Sequence, residues 1–207
     1  KLVDLMPELN TIAPTLYLGR PCYHQAAQID GTCHPRYWTI ARFSSHVVSS
    51  MAMATRKLIA ANANQKQNQQ VLLVGYSGGG VLALLMAQEL GSQALGVVTY
   101  GAPLDTAAWT THHGYTPLTE SINPTAVASQ LSHICQLHLF GSHDTVVPPE
   151  LLATWRWPKT QAQPNISADH HQGWQPALIS AIKQQLVRCV QAPNQHQPPS
   201  KYRKASE

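Results

Sequence analysis

Charge is what this chain has least of. Only 12% of its 207 residues are Asp, Glu, Lys or Arg, and the formal balance is +4. Much of that excess sits at the very end, on Lys201, Arg203 and Lys204, which describes a tail and excludes a nucleic-acid groove. Long apolar runs are missing too, so no transmembrane segment is expected. There is no internal repeat and no signal peptide; a mature secreted or anchored protein also lacks a signal peptide. Polarity comes instead from Asn, Gln, Ser, Thr and 11 His, and a hydrophobic content of 43% suits one globular domain with a full core.

What is present is most informative at Gly75-Tyr76-Ser77-Gly78-Gly79. The apolar run Val71–Val74 precedes it, and Gly80 with Val81–Leu90 follows. The pattern reads strand, sharp turn and helix with a serine at the apex, the G-x-S-x-G nucleophile elbow. Strand and helix pass so close at such a turn that its flanks must be small, a need assigned here to Gly75 and Gly79. Ser77 would stand at the N-terminus of a helix whose dipole favours a developing anion. Five letters alone are a weak signal. A phosphate loop is the competing reading, and the missing Gly-Lys-Ser/Thr removes it.

Strands and helices alternate along the chain. Thr15–Leu18 reads as a short strand, Trp38–Ala61 as a helix, Gln70–Val74 as the elbow strand, Leu95–Tyr100 and Ile134–Phe140 as strands, and Pro176–Val190 as a closing helix with Leu178, Ile179, Ile182, Leu186 and Val187 on one face. Such alternation predicts an α/β fold, a mostly parallel sheet flanked by helices, with a site beyond the carboxyl ends of the strands. Leu104–Pro124, long, polar and aromatic, is expected to be a functional loop or lid. Residues 1–191 form the domain, and 192–207, rich in Pro, Gln and Lys, are expected to be a disordered tail.

Four cysteines are too few for a disulfide scaffold. Cys22 and Cys33 share one loop-like stretch and are read as bonded. Cys135 and Cys189 fall at ends that a parallel βα arrangement places on one side of the sheet, so they can also meet; the alternative is two buried thiols. Both pairings presume an oxidising compartment.

A serine nucleophile needs a base, and the base an acid to orient it. In this fold the chain order is Ser, acid, His. Asp144, in a turn that follows a strand, is the preferred acid, and Asp105 the alternative, with loop capping as its plainer role. His170 and His171 both lie where the base belongs, and the residues alone leave the choice open. His112 and His113 precede the acid and so break the order. Tyr76, Trp109, His113, Tyr115 and Leu118 are assigned to the pocket or lid, with ordinary loop packing as the competing reading.

With these motifs placed, the chain resembles a bacterial α/β-hydrolase family often assigned to lipoproteins or periplasmic proteins of Gram-negative organisms. The resemblance rests on Tyr17-Leu18-Gly19-Arg20-Pro21-Cys22, Cys33 with Trp38-Thr39, Arg42-Phe43-Ser44, the elbow, Leu104-Asp105 with Trp109, His113-Gly114-Tyr115-Thr116-Pro117-Leu118, Asn123-Pro124, Gly141–Pro149, and Asp169-His170 with Trp174. It implies the α/β-hydrolase fold, a Ser77–His170–Asp144 triad, an oxyanion donor at the backbone N–H of Gly78, and a periplasmic or envelope-associated location. It does not imply a substrate. One departure stands out. The earlier strand whose following loop donates the second oxyanion N–H is not found, and Lys1–Asn10 resembles the end of the helix after that loop. The expectation is therefore a fold lacking its N-terminal strands, with possible membrane anchoring upstream.

These features predict a serine hydrolase acting on an ester, thioester or related acyl bond of a small-molecule or lipid-like substrate, with no cofactor and no metal. An acyltransferase using the same groups, and a non-catalytic binding or envelope-associated module, are the alternatives.

Overall fold

The structure, a computed structural model, describes residues 2–23, 31–62, 69–154 and 162–191, with only the backbone described for 2–3, 152–154 and 162–164. The tail expected at 192–207 lies outside the described residues. Four strands, β1 (Val71–Tyr76), β2 (Ala94–Tyr100), β3 (Gln136–Gly141) and β4 (Ala162–Ile166), form one sheet in the order β1-β2-β3-β4, every neighbouring pair parallel. The helices are α1 (Met6–Asn10), α2 (Ser45–Ala61), α3 (Gly78–Leu90), α4 (Thr106–His113), α5 (Ala128–Leu131) and α6 (Gln175–Gln191).

Parallel strands need crossovers, and the helices that supply them bury both faces of the sheet. On one face, Phe43 just before α2 and Val47, Val48 and Met51 within it pack with Val81, Leu82, Leu84 and Leu85 of α3, Val97 of β2, and Leu131 and Ile134. On the other, Leu178, Ile179 and Ile182 of α6 pack with Val98, Tyr100, Leu137, Leu139, Trp174 and Leu9 of α1. The helix after the elbow is apolar almost all round because it lies between the sheet and α2; Leu84 is fully buried, and truncating it to alanine costs about 2–5 kcal/mol. A parallel sheet covered on both faces, whose first strand turns through a strained serine into a buried helix, is the architecture of the α/β-hydrolase fold.

Several expected elements are corrected. Thr15–Leu18 belongs to no strand, and Leu16 and Tyr17 are 65% and 50% exposed. A strand persists only where a neighbour takes its backbone hydrogen bonds, and no described strand lies beside this segment. The helix expected from Trp38 begins at Ser45. Residues 35–38 are a 3₁₀ turn, and the Ser44 hydroxyl caps α2 by accepting from the Val47 N–H at 3.4 Å. Phe43, just before the helix, continues its helical spacing because it packs into the same core as Val47, Val48 and Met51 of α2. Leu104–Pro124 is not one long loop, since α4 occupies its first half. Val187 lies off the buried face of α6 and is 57% exposed. The strand β4 has no signal in its AQPNI sequence; its register on β3 is irregular, with Asn165 at φ 70°.

Both cysteine pairs are bonded, Cys22–Cys33 and Cys135–Cys189. Gly96 is required beside the second: a β-carbon there would sit 2.6 Å from the Cys135 carbonyl and 2.7 Å from Cys189 Sγ.

Candidate active site

The elbow is built by close approach. Ser77 takes φ 49° and ψ −128°, a conformation costly for any side-chain-bearing residue, and its N–H is held by the Tyr100 carbonyl at 3.0 Å. A β-carbon on Gly75 would fall 2.4 Å from the Gly79 carbonyl oxygen. On the helical side, the residue that must be small is Gly80, not Gly79. A β-carbon at 80 would sit 2.5 Å from Ala102 Cβ, whereas at 79 it would meet open space. The phase of α3, which starts at Gly78, turns position 80 onto β2 and position 79 to solvent.

Three strand ends converge above this serine. After β3, Asp144 turns inward and is 2% exposed; its Oδ1 accepts from the N–H groups of Val146 and Val147 at 2.9 and 2.8 Å. After β4, His170 is 7% exposed, with Nδ1 2.9 Å from Asp144 Oδ2 and Nε2 3.2 Å from Ser77 Oγ. An ionised carboxylate only accepts, so the Nδ1–H donates to Asp144 and the Nε2 lone pair faces the serine hydroxyl. That arrangement can take a proton from Ser77 and keep the resulting imidazolium in place.

The structure brings Ser77, His170 and Asp144 together and leaves the two alternatives outside. His171 is exposed, its Nδ1 3.3 Å from the Tyr76 hydroxyl. Asp105 caps α4, its Oδ1 accepting from the Ala108 N–H at 3.1 Å and from Asn123 Nδ2 at 3.0 Å. The loop that presents His170 is folded on Asp169, whose Oδ1 accepts from the N–H groups of His171 and Gln172 at 2.7 and 2.8 Å; these bonds lower the Asp169 pKa.

Tyr76 reaches under the histidine. Its hydroxyl donates to the His170 carbonyl at 2.6 Å, and its ring stacks on Tyr100 and tilts against the His170 ring. Burial, then the carboxylates of Asp144 and Asp169, push its pKa up to about 12, so it stays a donor at neutral pH. Trp109 and His113 both donate to the Val146 carbonyl, from Nε1 at 2.7 Å and Nε2 at 2.8 Å, and Tyr115 stacks on His113. They brace the turn that carries Asp144. Leu118 packs half-buried against the core beside α3, and Gly78 begins that helix.

The sequence places the turns at Gly101 and Gly141 at strand carboxyl ends but gives Gly101 no role of its own. Gly101 ends β2 at φ 54°, and a β-carbon there would lie 3.2 Å from Asp144 Oδ2 and 3.4 Å from His170 Nδ1. The signal available was a Gly-Ala-Pro turn at a strand's carboxyl end. Gly141 is likewise pressed against the loop before His170: a β-carbon there would lie 2.5 Å from the Ala168 carbonyl oxygen. Among the described residues, no group of His, Cys, Asp and Glu could hold a metal ion, and no helix is long and apolar enough to cross a membrane.

No protein-family model matches the chain, and no curated protein matches it. Solved structures do. A "putative lipase" from Acinetobacter baumannii AYE is 16% identical at TM-score 0.41, the match covering 69% of this chain and 67% of that one. An alpha/beta hydrolase enzyme from the sediment metagenome of the Mar Chica lagoon, Morocco, is 18% identical at TM-score 0.40, covering 74% and 73%.

Proposed function

We propose that this chain is a serine hydrolase that cleaves an ester, thioester or related acyl bond of a small-molecule or lipid-like substrate. One observation carries the reading: the hydrogen-bonded run from Asp144 through His170 to a strained Ser77 at the head of a buried helix. Ser77 Oγ attacks the acyl carbonyl carbon as its proton passes to His170 Nε2. The carbonyl π pair moves onto oxygen, and the Gly78 N–H at the start of α3 faces that anion. Collapse expels the leaving group, which takes the proton from His170, and water then releases the acyl group by the same steps. Asp144 holds the imidazole in the needed tautomer throughout.

The reading as a binding module would call for serine, histidine and acid held apart, and their spacing of 3.2 and 2.9 Å speaks for the enzyme. Acyl transfer shares every step up to the acyl-enzyme. Two disulfides fit an oxidising compartment such as the periplasm. Turnover of p-nitrophenyl esters of graded acyl length tests the proposal. Wild-type protein is expected to hydrolyse at least one, and Ser77→Ala to lose roughly 10⁴-fold or more. Equal turnover by the two proteins would refute it.

A further inference from the structure

The bond between His170 and Ser77 is interrupted during an acyl-enzyme cycle, because an acylated serine has no hydroxyl proton to give. The imidazole must still keep its place to activate the second nucleophile. A contact that holds it throughout has to be one that the chemistry leaves alone. The loop that carries His170 is closed at both ends. Gly173, at φ 88°, lets the chain fold back on itself: a β-carbon there would lie 2.5 Å from the Ser167 carbonyl oxygen. The Asp169 N–H donates to the Gln172 carbonyl at 3.1 Å, and the His143 N–H to the Ala168 carbonyl at 3.1 Å. The His170 carbonyl takes its hydrogen bond from outside the loop. Among the described residues its donor is the Tyr76 hydroxyl, at 2.6 Å.

Tyr76 is the last residue of β1 and the one before the nucleophile. Its backbone pairs with Tyr100 of β2, and the Tyr100 carbonyl holds the Ser77 N–H at 3.0 Å, so tyrosine and serine share one anchor. The Tyr76 ring stacks on Tyr100 with centroids 5.0 Å apart, and Tyr100 in turn lies 5.4 Å from Trp174 at the far end of the His170 loop. From that seat the ring leans on the imidazole, 5.0 Å between centroids, while the hydroxyl reaches the carbonyl of the same residue. A carbonyl only accepts, so the hydroxyl proton is committed to it, and the 3.3 Å contact with His171 Nδ1 uses a lone pair of the tyrosine. One side chain therefore touches His170 twice, on its ring face and on its backbone. Neither touch involves an atom whose bonding changes in the reaction.

We propose that Tyr76 is a positioning residue that ties the base to the nucleophile's own turn, so that His170 keeps its aim on Ser77 before and after acylation. The inference rests on the serine-hydrolase reading. It gives Tyr76 a task other than lining a substrate pocket, and the two tasks have different signatures. A pocket wall sets KM and the ranking of acyl chains. A residue acting through the base lowers kcat for every acyl chain alike.

The test is steady-state kinetics of wild type, Ser77→Ala, Tyr76→Phe, Tyr76→Leu and His171→Ala on p-nitrophenyl esters of graded acyl length, with the melting temperature of each. Proton NMR of the His170 Nδ1–H accompanies it; a ring N–H bonded to a buried carboxylate resonates far downfield, and its absence from His170→Ala assigns it. Phe keeps the ring and its stacking and removes only the hydroxyl, so it covers the case in which Leu does not fold. The expected result is a kcat lower by roughly tenfold in Phe and roughly 10²-fold in Leu, with KM within about threefold and the ranking of acyl chains unchanged. The Nδ1–H resonance is expected to broaden or vanish in Phe and to persist in His171→Ala. A folded Phe variant with wild-type kcat and an unchanged resonance overturns the proposal. So does a shift in KM or in acyl ranking with kcat retained, which makes Tyr76 a pocket wall. A loss of equal size in His171→Ala overturns it as well, since the hydroxyl would then act through that side chain. If Ser77→Ala retains wild-type turnover, the hydrolase reading itself fails, and the Nδ1–H resonance still decides whether Tyr76 holds the imidazole.

Discussion

At the residue scale, two adjacent histidines were equivalent in the sequence because successive side chains in an extended loop face opposite ways, and nothing local says which way. Packing decides. His170 is enclosed against Asp144 and Ser77, while His171 faces solvent. His170→Ala is therefore expected to lose roughly 10⁴–10⁶-fold in kcat, and His171→Ala to stay within about threefold, in the same ester assay. Ser77 and Asp144 were legible because an elbow and a strand-end turn leave marks in the chain. The small-residue requirement was misread by one position, since the phase of α3 fixes it at Gly80. The constraint on Gly101 was not legible, because it comes from side chains 43 and 69 residues further along. Gly101→Ala is expected to abolish turnover while circular dichroism stays native-like, since its β-carbon would press on the His170–Asp144 pair and its φ of 54° disfavours any side chain.

At the element scale, β1, β2, β3 and α6 were readable from apolar runs and helical spacing, with ends displaced by a residue or two. β4 was not, because an edge strand needs little apolar content and AQPNI has little. Within the segment expected to be a functional loop or lid, α4 sends Trp109 and His113 to one carbonyl, that of Val146. Trp109→Phe combined with His113→Phe strands that acceptor, and is expected to cost about 1–3 kcal/mol in urea unfolding.

The middle of the sheet carries a polar surprise. His138 on β3 is fully buried, its Nδ1 2.8 Å from Thr99 Oγ1 of β2 and its Nε2 2.9 Å from Gln136 Oε1. Burial lowers its pKa from 6.5 to about 3. The folded state therefore excludes a proton that the unfolded chain accepts. This contribution is complete above pH 6.5 and is lost progressively as pH falls from 6.5 toward 3. Unfolding free energy is expected to be about 2 kcal/mol lower at pH 5 than at pH 7, and His138→Gln to flatten that slope. A wild-type profile flat between pH 5 and 7 would contradict this account.

For the whole molecule, the two faces of the sheet form separate cores, and Cys135–Cys189 ties the start of β3 to the end of α6 across a separation of 54 residues. In the chain-entropy model that closure contributes about 4 kcal/mol. Replacing both cysteines by alanine is expected to lower the melting temperature by about 10 °C, measured by calorimetry against the intact protein. The fold class was legible as a whole because alternating strands and helices admit few arrangements, and a serine elbow fixes which end of the sheet matters. The central claim is that Ser77 is an activated nucleophile. It is tested most directly by treating folded protein with a fluorophosphonate and mapping the adduct by peptide mass. The account predicts a single adduct on Ser77, lost in Ser77→Ala and strongly slowed in His170→Ala. No adduct on the folded wild type, or equal labelling of Ser77→Ala, would contradict it.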